Sequence, residues 1–169
     1  QAGECKLQDY WLKYDRGFSR FGTEREKVHK PKATPFGPLV VYDAERCVVC
    51  TRCVRFCNEV AKDPVLNIGN RGDHAEVIVE SGRQLDHAYS LMTVDVCPVG
   101  ALTSRDFRFK QRAWFLKAAP TICPGCATGC NARLDHFRGT AYRMRPRENL
   151  EVNQYWLCDE GSLTYKRVN

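Results

Sequence analysis

Three cysteines spaced two residues apart, Cys47, Cys50 and Cys53, constrain this chain most, because one tight loop must bring three thiols to a common centre. The device recurs in Cys123-Pro-Gly-Cys126-Ala-Thr-Gly-Cys130. Nine of the chain's ten cysteines fall in two groups, Cys47, Cys50, Cys53, Cys57 and Cys97, then Cys123, Cys126, Cys130 and Cys158; Cys5 stands alone. Spacing this tight suits a metal better than a disulfide framework, since a metal or cluster gathers several thiolates from one short loop.

Zinc sites take two ligands from each of two separated C-x2-C knuckles, because the ion is tetrahedral. Three ligands from a single loop favour an iron–sulfur cubane, [4Fe–4S]. The fourth ligand of the first group is contested. Cys57 completes a C-x2-C-x2-C-x3-C run, but such runs end in Cys-Pro and serve a second cluster, and Cys57 is followed by Asn58. The Cys-Pro pair is Cys97-Pro98, and five cysteines cannot supply two four-thiolate clusters. Cys97 is therefore read as the ligand and Cys57 as a small buried apolar residue. In the second group Cys158 is the remote fourth ligand, and Gly125 and Gly129 permit the turns of a cluster-wrapping loop. A zinc knuckle is the competing reading. His29, His74, His87 and His136 lack metal-type neighbours and read as surface residues.

The composition, 43% hydrophobic and 27% charged, is that of a globular chain. No run of 18 apolar residues exists, which rules out a spanning helix by pattern, and no secretory signal is visible. The formal charge of +6 is lopsided: residues 1–100 hold 14 basic and 14 acidic side chains, residues 101–169 hold 12 and 6. A basic half raises nucleic acid as a partner. Arg138, Arg143, Arg145 and Arg147 read either as a solvated basic hairpin or as cations beside anionic clusters. The local pattern predicts a helix from residues 3–9 towards Tyr14, an extended connector over 30–38 and a helix over 54–61. It further predicts a loop over 67–73, a strand over 75–79, a helix over 85–96 with Leu85, Ala88, Leu91, Met92 and Val96 inward, and a strand over 113–119. Residues 132–144 read as a hairpin turning at Arg138-Gly139-Thr140, and the best domain boundary lies near 108–116.

The run Cys47-Val-Val-Cys-Thr-Arg-Cys-Val-Arg-Phe-Cys57, the segment Cys97-Pro-Val-Gly-Ala-Leu-Thr-Ser104 and the Cys123/126/130/158 set together resemble the large iron–sulfur subunit family of bacterial complex I, NADH:quinone oxidoreductase. Gly3-Glu-Cys-Lys-Leu-Gln-Asp9 is similar to the end of that family's His/Cys3 motif, with Cys5 as its last ligand. The resemblance implies an α+β chain: residues 1–30 ending a His/Cys3 segment, 31–112 a ferredoxin-like [4Fe–4S] domain, and 113–169 a small β-rich [4Fe–4S] domain like the N-terminus of molybdopterin oxidoreductases. It implies [4Fe–4S] clusters at Cys47, Cys50, Cys53 and Cys97 and at Cys123, Cys126, Cys130 and Cys158, and a third where ligands upstream of Cys5 are present.

The implied role is non-catalytic electron relay from NADH and flavin towards quinone. The implied partners are the flavin/NADH-binding and quinone-proximal iron–sulfur subunits, without nucleic acid or direct membrane insertion, at the cytoplasmic side of the bacterial inner membrane. An iron–sulfur subunit of an NAD-linked hydrogenase or formate dehydrogenase is the alternative; those subunits show a further C-x2-C-x2-C run before Cys-Pro, and Glu80–Val96 has no Cys. A zinc-binding nucleic-acid module is the remote one. The family's His and two cysteines before Cys5, its upstream [2Fe–2S] domain and its molybdopterin-like domain after Tyr165 are absent from the sequence, so a fragment is expected. Two clusters of about −2 each would bring the formal charge to about +2.

Overall fold

In the computed structural model, residues 3–18 and 27–168 are described; the rest of the 1–30 segment lies outside the described residues. Lys6–Tyr14 forms helix α1, with Cys5 as its N-cap, within the helix expected from residues 3–9 towards Tyr14. It buries none of its residues, and Leu7, Tyr10, Trp11, Leu12 and Tyr14 face outward.

The first cysteine group sits in a framework of β1 (Thr34–Pro35), β2 (Val40–Tyr42), α2 (Arg52–Glu59), β3 (Leu66–Gly69), β4 (Glu76–Val79), α3 (Met92–Val96) and β5 (Leu102–Ser104). β2 lies between β1 and β5 in an antiparallel sheet, and β3 pairs with β4. The apolar run Val40-Val41-Tyr42 takes the central place because both its faces are covered. Tyr42 stacks on Phe36 at 4.5 Å, and its hydroxyl accepts the Val77 N–H at 3.1 Å, tying the sheet to the β3–β4 pair.

Two expectations for this half need correction. Residues 66–69 form a strand rather than a loop, because Leu66 and Ile68 pair with Val79 and Val77 across β4. The helix expected over 85–96 is reduced to its last five residues, α3. Ser90 accepts the His87 N–H and donates to the His87 carbonyl, and the Ser90 and Leu91 amides turn to Asp159; these local and tertiary bonds displace the helical ones. Leu85, Leu91 and Met92 are still buried, whereas Ala88 is exposed.

The C-terminal part begins with a short 3-10 turn at Ala113–Phe115 where a strand was expected; the strand starts later. β6 (Lys117–Ile122), β7 (Asn131–Phe137) and β8 (Thr140–Pro146) form an antiparallel sheet in that order, and α4 (Asp159–Leu163) packs on β8. The β7–β8 turn falls on Arg138 and Gly139, at φ 50 and 82, the left-handed pair that a two-residue hairpin turn requires. Arg138 and Arg147 are exposed, but Arg143 and Arg145 on β8 are not solvated. Arg143 pairs with Glu4 and, at 2.6 Å, with Asp135, and its guanidinium lies 4.2 Å from the Phe107 ring. Arg145 holds the same Asp135 at 2.9 Å, and Arg147 donates to Asn131 at 2.6 Å. The chain is mixed α+β, and its two parts meet through Glu4–Arg143, a Tyr165–Asp106 hydrogen bond and the Asp159 contacts, around a cavity of about 440 Å³.

Candidate metal centres

The first loop starts from a 3-10 turn, Ala44–Arg46, capped by the Asp43 side chain, which accepts the Glu45 N–H. From Cys47 the backbone turns sharply: Val49 and Thr51 lie at φ 50 and 62. Both are β-branched, so the loop holds strain at the place where the ligands converge. The bend aims the Val49 N–H at Cys47 Sγ, 3.3 Å away. α2 then carries Cys53 in its first turn and Cys57 one turn on, while Cys97 ends α3.

Cys47, Cys50, Cys53 and Cys97 line one small cavity, partly open to solvent, with Tyr42, Val77, Val99 and Leu102 in its walls. Cys57 is absent from that lining; it is fully buried elsewhere, with Sγ 3.6 Å from His87 Nε2. His87 is thus half-buried rather than a surface residue, and burial pulls its pKa below the usual value. Burial pushes the Cys53 thiol up to about 12, with the neighbouring Cys97, Cys47 and Cys57 adding to it. Burial also raises Cys97, against the backbone groups of Leu102, Val99 and Ala101, which favour its thiolate. Thiols held this high stay protonated until an electrophile takes the proton's place, so binding at this site releases protons.

In the second loop the Cys123 N–H donates to the Cys130 carbonyl at 2.8 Å and closes the turn. Gly125 N–H points at Cys123 Sγ from 3.4 Å. Cys158 caps α4, its Sγ accepting the Gly161 N–H at 3.3 Å. Gly161 also sits against Cys123: a Cβ there would stand 3.1 Å from Cys123 Sγ and 3.2 Å from Cys158 Sγ. Burial raises the Cys130 thiol, and the charges of Cys123, Cys126 and Cys158 raise it further, so these four face one another. Cys126 is exposed, and hydrogen bonds from Thr128 lower its pKa.

Among the described residues, no group of three such side chains is gathered as a single metal ion would need; the thiols stand around their sites. Eight thiols in two sets of four, each with backbone N–H groups aimed at sulfur, are a donor set that fits a thiolate-ligated cluster. Cys5 is buried at the start of α1, beside Pro98, whose carbonyl accepts the Lys6 N–H at 3.4 Å; it lies outside the Cys47 cavity. Two contributors escaped the sequence. Tyr42 places its hydroxyl against Cys47, and Asp159 reaches across to the segment before α3.

Residues 37–103 match the family described as NADH-quinone oxidoreductase subunit 3, ferredoxin-like domain, and residues 116–169 match the molybdopterin oxidoreductase Fe4S4 domain. The chain is 38% identical to the G subunit of NADH-quinone oxidoreductase from Streptomyces coelicolor, over 98% of the chain and 20% of that relative. For the same subunit of Rickettsia felis the identity is 38% over 98% of the chain and 24% of the relative. The chain thus spans about a fifth to a quarter of the length of these relatives. Among solved structures, an NAD+-reducing [NiFe]-hydrogenase in the H2-reduced state matches with a TM-score of 0.51 and 28% identity, over 66% of this chain and 47% of that one. With each four-cysteine set inside one of the two matched domains, and with relatives aligned along nearly its whole length, the chain belongs to the iron–sulfur G subunit family of NADH-quinone oxidoreductase.

Proposed function

We propose that this chain is an electron-relay module of an NADH-quinone oxidoreductase, with one [4Fe–4S] cluster held by Cys47, Cys50, Cys53 and Cys97 and a second by Cys123, Cys126, Cys130 and Cys158. The observation that carries the reading is the cavity that gathers four of the first five cysteines and leaves Cys57 outside. A bound cluster supplies one-electron chemistry, and everything else is the chain's part. The thiols give up their protons and hold the group. Val77, Val99 and Leu102 keep water from its inner side, while Val49, Gly125 and Gly161 direct N–H groups at ligand sulfurs and so raise the reduction potential. The relay runs from a flavin- and NADH-binding partner towards a quinone-proximal iron–sulfur partner, in an assembly peripheral to the cytoplasmic face of the bacterial inner membrane. Among the described residues no helix is long and apolar enough to cross a membrane.

Anaerobic reconstitution with iron and sulfide tests this. The wild type should bind about eight irons, Cys57→Ala should bind the same number, and Cys97→Ser should lose about four together with one reduced-state EPR signal. A colourless protein with stoichiometric zinc and no sulfide overturns the reading. The partial match to a hydrogenase favours a second reading, the same relay within an NAD+-reducing hydrogenase. The subunits that copurify with the chain separate the two.

A further inference from the structure

The residue after Cys158 is turned away from its own site. Asp159 Oδ2 accepts the Ser90 N–H at 2.9 Å, Oδ1 accepts the Leu91 N–H at 2.8 Å, and the Asp159 N–H donates to the Ala88 carbonyl at 2.7 Å. Asp159 and Ser90 are both buried, so water does not compete for these bonds. Leu91 is the residue that starts α3, and Cys97 is the residue that ends it. A helix of five residues cannot hold itself, and Leu91 gives it no side-chain cap; its first amides, Met92, Thr93 and Val94, donate to the Tyr89, Ser90 and Leu91 carbonyls, so the carboxylate that holds Ser90 and Leu91 holds the turn from which the helix starts. Two residues before Cys158, Trp156 lies against Phe56, with ring centroids 5.0 Å apart, and Phe56 sits on α2 between Cys53 and Cys57. The segment 156–159 therefore touches both helices that present ligands of the first site.

We propose that Asp159 is a positioning residue that couples the two cysteine sites, holding α3, and with it Cys97, in place from the segment that supplies Cys158. The proposal rests on the cluster reading above. Asparagine at 159 keeps one acceptor oxygen and turns an NH2 group towards the other amide, which breaks one of the two bonds without changing the shape.

The test uses the reconstituted chain at neutral pH, with Asp159→Asn and Asp159→Ala, and with each EPR signal assigned through Cys97→Ser and Cys126→Ser. In Asp159→Asn, amide exchange at Ser90 and Leu91 should quicken about tenfold. The first cluster should keep its iron while its EPR signature and midpoint potential move. Tyr165→Phe removes a different contact across the same interface and should leave that signature where it was. If both Asp159 variants load fully and the first cluster's spectrum and midpoint stay unchanged, the coupling is overturned while the cluster reading stands. An equal change in Tyr165→Phe also overturns it, by tracing the effect to a loosened interface. A wild-type chain that takes up no iron overturns the cluster reading, and the coupling with it. Should Asp159→Ala fail to fold, the isosteric Asp159→Asn carries the test alone.

Discussion

At position 161 the chain has room for a hydrogen atom and little else. A Cβ there would meet Leu157 Cδ1 at 3.0 Å and the sulfurs of Cys123 and Cys158 at 3.1 and 3.2 Å. Leucine can give way by a few tenths of an ångström; sulfurs fixed to a cluster cannot. On the ligand sets proposed above, Gly161→Ala should therefore lose the second cluster, about four of about eight irons, and retain the first. Iron content and the two EPR signals check this. Six of the eight candidate ligands were exposed because their pattern is local, three thiols on one loop, and the remote fourth of each set followed from Cys97-Pro98 and from Cys158. The sequence marked Gly125 and Gly129 as turn residues but not Gly161, whose constraint comes from Cys123 on the other side of the site. Asp159 was invisible for the same reason, since its partners lie 68–69 residues away, and Tyr42 because the bond that fixes its hydroxyl comes from Val77, 35 residues on.

Elements were legible where sequence-local chemistry decides them. Arg138-Gly139 fixes the β7–β8 hairpin, and the valine-rich run over 75–79 fixes β4. The segment 85–96 has helical spacing, yet most of it is irregular because Ser90 and Asp159 offer its amides better partners than its own carbonyls. The β8 arginines read from sequence as a surface row or as counter-charges; the structure makes Arg143 the tie between the hairpin and the N-terminal segment. Removing that tie leaves buried Asp135, and Glu4 at 4.0 Å, with Arg145 as their remaining cation. Arg143→Met should cost about 2–3 kcal/mol, seen as a lower urea midpoint. Arg143→Lys should recover only part of the loss, because one ammonium cannot serve Glu4, Asp135 and the Phe107 face together.

At the scale of the whole molecule, the Asp106–Tyr165 contact joins the two parts. Burial alone would push the Asp106 carboxyl up, but the hydrogen bond from Tyr165 and the ammonium groups of Lys166 and Lys110 outweigh it and hold the carboxyl below its usual value. A carboxyl depressed in the folded state adds stability that is present above the unfolded pKa of about 4 and is lost as pH falls through the folded value. Asp106→Asn should thus be about 1–2 kcal/mol less stable than wild type near neutrality, and the gap should narrow as pH falls below about 4. Urea midpoints of the iron-free, reduced chain across that range measure it.

The outward face of α1 gives the molecule a colloidal character that the two sites modulate. Leu7, Tyr10, Leu12 and Tyr14 present between 50% and 72% of their surface. Against that greasy helix the empty chain sets a formal charge of +6, enough mutual repulsion to keep copies dispersed. Filling both sites with anionic clusters would cut that charge to about +2. The loaded form is then the one with less repulsion and the same sticky surface, so sulfate, which strengthens apolar association, salts it out ahead of the empty form.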